Sequence, residues 1–292
     1  MEPERKWGYW VLLIVFLALL LIGALETWLK AETPGVLEQI GKRVERALTY
    51  HDGIVISWDL QSGNQKIWGN RKLLDHPFLP GSTMKLVTAE AALAAGLNPQ
   101  YHCDGQEDLP GGRQFCWTPQ GHGQLRLPEA LAHSCNLYFS QLGQTLGTEA
   151  LLNTLSQYSF RGLSPLKPAQ LKIRAFAIGE DPAFQVSPRQ MAGFWRGYLK
   201  KLEQPQMQGI RQGLLKAASE GTALRSGRNL LGKTGTADSL SQAFPTHGWF
   251  LGAYPSKNPR RAFVIFMKNA HGYREPASLA GEMVKIWDEH RR

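Results

Sequence analysis

At 292 residues, with 43% hydrophobic and 10% aromatic content, the chain is long enough to bury one large core or two small ones. Its net charge of +9 arises without a long single-sign run and suits work beside anionic lipid headgroups or an anionic polymer. Nucleic acid is set aside as a partner, because there is no basic helix, zinc-finger spacing or RNA-binding aromatic signature.

The first element is an uncharged run of 19 residues from Trp7 to Leu25. At ~1.5 Å rise per residue such a helix crosses a ~30 Å hydrocarbon core. Trp7, Tyr9 and Trp10 stand at one end and Trp28 at the other, where aromatic side chains favour the interface. Leu25-Glu26-Thr27-Trp28 is a poor cleavage site, so an uncleaved anchor is expected rather than a signal peptide. The organisation read from this is a tail at 1–6, an anchor at 7–28 and a folded domain at 31–292.

Residues 34–50 carry Val36, Leu37, Ile40, Val44, Ala47 and Leu48 at helical spacing. Residues 54–58 read as a strand, Ser62-Gly63-Asn64 as a turn and 66–68 as the returning strand. A helix is expected from Ser82 to about Ala95, and a long loop over the Gly- and Pro-rich stretch 100–126. Helical pattern dominates from Pro128 to about Gln157 and from Pro188 to about Leu202, the latter with Ser187 as N-cap. Strands are predicted at 229–237, 247–254 and 261–268, and a last helix at 277–290. This order predicts one α+β domain, an antiparallel sheet flanked by helices.

The chemistry-bearing residues start with Ser82-Thr83-Met84-Lys85. Pro80-Gly81 breaks the chain just before, so Ser82 is predicted at a helix N-terminus with Lys85 one turn on. A lysine in a dry site beside other cations can lose its proton and act as a base. Alone the pattern favours a capping serine followed by a solvated lysine. Lys233-Thr234-Gly235-Thr236, in a strand-like segment, combines a cation and hydroxyls suited to a substrate carboxylate, and Gly235 would permit close backbone approach. Ser134-Cys135-Asn136 interrupts a helical stretch with a hydroxyl and an amide.

Taken in order, S-x-x-K, S-x-N and K-T-G resemble the motif set of penicillin-binding proteins and serine β-lactamases. The resemblance is to elongation-type (class B) transpeptidases and covers about residues 34–290. Phe115-Cys116-Trp117 through Gly121-His122-Gly123, 130–139, Ile178-Gly179 with 186–190, and His247-Gly248-Trp249-Phe250 all contribute. It implies that Ser82 attacks the carbonyl between two D-alanines of a peptidoglycan stem peptide, with Lys85 as base and Ser134 relaying a proton to the leaving amine. Asn136 would hold the substrate amide, and Lys233 and Thr234 the terminal carboxylate. The N–H groups of Ser82 and Thr236 would form an oxyanion hole. Penicillin and other β-lactams would acylate Ser82. The domain would face the extracytoplasmic side of the cytoplasmic membrane, in reach of cell-wall synthesis proteins. A D,D-carboxypeptidase and a penicillin-binding sensor remain the competing readings. Class B relatives usually carry a stalk-like pedestal domain, for which the stretch between Leu25 and Ile54 leaves no room.

Glu149-Ala150-Leu151-Leu152-Asn153 matches the E-x-x-L-N string that carries the deacylating glutamate of class A β-lactamases. It follows Asn136 too closely and lies in an amphipathic pattern, so Glu149 reads as surface, Leu151 and Leu152 as core, and acyl-enzyme hydrolysis is expected to be slow. No cofactor is needed for the chemistry. Cys103, Cys116, His122 and Cys135, spaced C-x12-C-x5-H-x12-C, satisfy a tetrahedral zinc site. The alternative is a Cys103–Cys116 disulfide with Cys135 free. Elongation-type relatives can bind metal at the same place.

Overall fold

A computed structural model describes residues 9–10, 12–21, 34–109, 112–158, 160, 167–240 and 243–290. The expected tail at 1–6 and much of the expected anchor at 7–28 lie outside these residues. Residues 12–21 are helical with exposed apolar side chains, and among the described residues no helix is long and apolar enough to cross a membrane.

A five-stranded antiparallel sheet organises the domain, in the order β2-β1-β9-β8-β7. Its strands are β1 (Gly53–Asp59), β2 (Gln65–Gly69), β7 (Leu231–Asp238), β8 (Thr246–Tyr254) and β9 (Arg261–Lys268). The central strands are apolar at nearly every position because both faces are covered. Side chains alternate between faces with period two. On β9, Phe263, Ile265 and Met267 enter one core, and Ala262, Val264 and Phe266 the other. The first core is closed by α1 (Pro34–Leu48), through Val36, Ile40 and Val44, and by the last helix, α8 (Glu275–Glu289), through Met283 and Trp287. The second core holds the remaining large helices: α2 (Lys85–Ala94), α4 (Asn136–Ser156), α6 (Pro188–Lys201) and α7 (Gln208–Ser219). The short helices α3 (Leu127–Ala132) and α5 (Ile173–Ile178) complete this layer. At the start of α6 the Ser187 hydroxyl accepts from the Gln190 N–H, the N-cap expected from sequence, and the Gln190 side chain accepts from the Ser187 N–H in return.

Two expectations are corrected. The stretch 100–126 is not a plain loop. β3 (Tyr101–Cys103) pairs with β6 (Gly123–Leu125), and β4 (Gln106–Leu109) with β5 (Gly112–Phe115). These strands are short and polar, so they lack the alternation that marks a half-buried strand; they are ordered around a cysteine–histidine cluster. Ser82 is not in an α-helix either. It sits in a 3-10 turn, Gly81–Met84, and α2 starts only at Lys85. The helices α5 and α7 were not foreseen.

Candidate active site

Ser82 is positioned from three sides. Gly81, at φ 53°, takes the left-handed conformation that a turn this sharp requires. Its N–H donates to the Gly179 carbonyl over 3.0 Å. A Cβ on Gly179 would come within 2.0 Å of the Gly81 oxygen, so glycine at 179 lets the two backbones touch, while a Cβ on Gly81 would meet the Thr236 carbonyl at 2.5 Å. From β8, the His247 Nε2–H and Trp249 Nε1–H both donate to the Leu79 carbonyl, at 2.8 and 2.9 Å. This is the structural use of the His247-Gly248-Trp249 string: it fixes the chain three residues before Ser82. His247 is deeply buried and its Nδ1 has no hydrogen-bond partner, so the ring is a neutral Nε2–H tautomer, and burial holds its pKa below the ordinary value. The Ser82 side chain opens on a cavity of about 530 Å³.

Behind Ser82, α3 ends, the chain turns, and α4 begins at Asn136. Ser134 occupies that turn at φ 53°, a conformation costing a non-glycine residue roughly 1–2 kcal/mol. Its hydroxyl accepts from Lys85 Nζ at 3.3 Å and from Lys233 Nζ at 3.0 Å. Lys85 also donates to the Ser134 carbonyl and to Asn136 Oδ1, each at 2.6 Å, and Lys233 donates to the Thr234 carbonyl at 2.6 Å. Both lysines are 0% exposed. Burial lowers the Lys85 pKa to about 8, against the opposing pull of Cys135, Glu180 and Cys116. Burial, and then the neighbouring charge of Lys85, push Lys233 well below its ordinary value. The result is a pair of buried amines sharing one hydroxyl. Because the Asn136 oxygen accepts from Lys85 Nζ, its NH2 is left as a donor for a ligand.

The cavity wall carries Ser82, Ser134, Asn136, Thr234 and Thr236, which brings together the three motifs expected from sequence. Lys85 and Lys233 lie beneath the wall rather than on it. β7 is an edge strand of the sheet, and Gly235 lets it press against the Ser82 turn: a Cβ there would meet Thr83 at 2.8 Å. The Thr236 hydroxyl accepts from the Gly272 N–H at 3.0 Å, and the Thr234 hydroxyl donates to that of Thr222 at 2.7 Å. Glu149 is exposed on α4 and off the cavity, while Leu151 is buried and Leu152 partly buried, as expected.

Sequence reasoning missed Glu180, Trp117, Thr222, Asp238, His271 and Tyr273, all of which line the cavity. The available signal for Glu180 was its place directly after Ile178-Gly179. Trp117 follows Cys116, donates its indole N–H to the His133 carbonyl at 2.9 Å, and stacks on Tyr273.

The four expected metal ligands converge. Cys103, Cys116, His122 and Cys135 bring their ligand atoms within 4.8 Å of one another, and all three cysteines are free, without a Cys103–Cys116 disulfide. His122 Nδ1 lies 3.6 Å from Cys103 Sγ and 3.5 Å from Cys116 Sγ, and the two sulfurs of Cys116 and Cys135 are 3.9 Å apart. Zinc–sulfur bonds of ~2.3 Å in a tetrahedron place sulfurs ~3.8 Å apart, so the donor set fits zinc. The far nitrogen of His122 pairs with the Thr118 hydroxyl at 3.3 Å, the outer partner a metal-binding imidazole usually has. Cys116 is held well below the usual thiol range, chiefly by the Cys135 thiol, and Cys135 is raised in turn.

The edge strand of a helix-flanked sheet thus brings Lys233 to the Ser134 hydroxyl, which a second buried lysine also reaches, beside Ser82. The family model described as "Penicillin binding protein transpeptidase domain" matches residues 57–285, and the chain belongs to that family. It is 25% identical over 251 residues to the peptidoglycan D,D-transpeptidase PbpA of Mycolicibacterium smegmatis, covering 68% of this chain and 51% of that protein. PBP2 of Pseudomonas aeruginosa superposes with a TM-score of 0.70 at 19% identity, covering 86% of this chain and 74% of that one. PBP2 of Helicobacter pylori, solved with MreC, gives 0.67 at 19% identity, covering 86% and 62%. At these identities the structures show a common fold. The chain spans at most about half the length of the curated relatives it matches.

Proposed function

We propose that this chain is a D,D-transpeptidase that forms an acyl-enzyme on Ser82 with the D-Ala-D-Ala end of peptidoglycan stem peptides. The observation that carries the reading is the Ser134 hydroxyl held between Lys85 and Lys233, beside a cavity that opens on Ser82. Neutral Lys85 accepts the Ser82 proton as the hydroxyl attacks the carbonyl. The Ser134 hydroxyl, bonded to both amines, then passes a proton to the departing D-alanine. Asn136 orients the substrate amide, Lys233 and the Thr234 hydroxyl draw its carboxylate, and the N–H groups of Ser82 and Thr236 receive the developing oxyanion.

The test is labelling with a fluorescent penicillin, a β-lactam that mimics the substrate. Ser82 should carry the adduct, and Ser82→Ala should remove it. Stoichiometric labelling of that variant would end the assignment.

Three further parts belong to the same reading. The run Trp7–Leu25, with its flanking tryptophans, supports anchoring in the cytoplasmic membrane through residues 7–28, with the domain on the extracytoplasmic side. The donor set and separations at Cys103, Cys116, His122 and Cys135 support a structural zinc that braces the Ser134–Asn136 turn from behind. The Helicobacter pylori neighbour solved with MreC supports a cell-wall synthesis protein as partner.

A further inference from the structure

Removal of the acyl group from Ser82 by an incoming nucleophile needs a proton acceptor on the cavity wall, where that nucleophile stands. Lys85 and Lys233 are 0% exposed and lie beneath Ser134. The titratable groups that line the cavity are Glu180, Asp238, His271 and Tyr273. Glu180 directly follows the residue whose carbonyl takes a main-chain hydrogen bond from the residue before Ser82. The Gly81 N–H donates to the Gly179 carbonyl at 3.0 Å, and a Cβ on Gly179 would come within 2.0 Å of the Gly81 oxygen. The next residue of each segment, Ser82 and Glu180, faces the same cavity. We propose that Glu180 is the proton acceptor of the deacylating half-reaction, serving the amine or water that attacks the Ser82 ester.

With a neutral primary amine, the nitrogen lone pair forms the N–C bond while the Glu180 carboxylate takes the N–H proton. Collapse of the tetrahedral adduct breaks the bond between the acyl carbon and Ser82 Oγ. The proton passes to Oγ, which restores the free serine and the carboxylate. Water gives the free acid by the same transfers. The protein around Glu180 raises its pKa above the ordinary value, the positive charge of Lys85 opposes this, and Asp238 adds to it. A basicity moved toward neutral pH suits a group that must take a proton and return it. Glu149, the glutamate that the E-x-x-L-N string singles out, is exposed on α4 and has no access to this cavity.

The inference rests on the acyl-enzyme reading, and one experiment separates the two. The full chain is acylated with a fluorescent penicillin, excess reagent is destroyed, and loss of label from Ser82 is followed with and without added D-alanine as amine acceptor. Glu180→Gln, which keeps the shape but cannot take a proton, should lengthen the adduct lifetime at least tenfold and cancel any acceleration by D-alanine. Glu149→Gln should match the parent. Acquisition of label reports that each variant is folded. A lifetime within twofold of the parent in Glu180→Gln overturns the proposal. So does a Glu180→Gln variant that melts at the parent's temperature yet no longer takes the label, which would assign Glu180 to acylation. So does a long-lived adduct in Asp238→Asn or His271→Gln while Glu180→Gln matches the parent. A parent chain that takes no label at Ser82 overturns the acyl-enzyme reading itself.

Discussion

Lys233 Nζ donates to Ser134 Oγ over 3.0 Å, joining the edge strand of the sheet to the turn between α3 and α4. On its other side the same hydroxyl accepts from Lys85 at 3.3 Å. Neither lysine reaches solvent, so the hydroxyl is the path by which a proton leaves them toward the cavity.

Removing that path should be costly. Ser134→Ala is expected to slow acylation of Ser82 by about a hundredfold or more, the scale of a lost proton-transfer group. Thermal unfolding should change little by comparison, because the two amines keep their bonds to the Ser134 and Thr234 carbonyls and to Asn136. The acylation rate constant for a fluorescent penicillin measures this. A rate near that of the parent would remove Ser134 from the proton path.

The acid limb of the pH profile should report Lys85. Only its neutral form can accept the Ser82 proton, and its pKa is lowered to about 8. The acylation rate is therefore expected to climb as pH rises toward 8 and to level off above it. The same shift has a stability sign. Between about 8 and the ordinary value of 10.5 the unfolded chain binds a proton that the folded chain does not, so this group's contribution to stability rises with pH across that window. A profile flat from pH 6 to 9 would leave Lys85 without a role as base.

His247 should set an acid limit on the fold. Its folded pKa is held below the ordinary 6.5 by burial. Protons bind the unfolded chain first as pH falls through 6.5, and the contribution of this group declines until the folded value is passed. His247→Gln, whose amide can still donate to Leu79, should flatten the decline in melting temperature below pH 6.5 relative to the parent. Parallel declines in the two proteins would place the acid sensitivity elsewhere.

Metal analysis of the folded domain, purified without chelator or affinity metal, should find roughly one zinc per chain. Binding requires thiolates and a neutral imidazole, so acid or a strong chelator should release it. Release should lower the melting temperature and slow acylation together, since Cys135 lies between Ser134 and Asn136. Protein that acylates normally with no metal bound would reduce the cluster to packing.

The sheet and its flanking helices, α5 and α7 excepted, were legible because their side chains obey simple periods. β9 alternates between two cores, and Ser187-Pro188 announces α6. The site was legible because its motifs carry residue types that the chemistry needs. Two features were hidden. The short strands of 100–126 take their order from Cys103, Cys116 and His122, a constraint without periodicity. Glu180 acquires its place only when Gly179 meets Gly81 across about a hundred residues of chain. The missing side chain is visible in sequence as glycine, but the partner backbone is not.

The tripeptide Ser134-Cys135-Asn136 belongs to two sites at once, since its ends line the cavity and its middle side chain enters the thiol cluster. It follows that the cavity has a second address for inhibition. A thiol-reactive compound or a soft heavy metal that captured Cys135 would pull on both neighbours without entering the cavity. Such an agent would not compete with substrate or with a β-lactam, and changes to the cavity wall that exclude β-lactams would offer no protection against it.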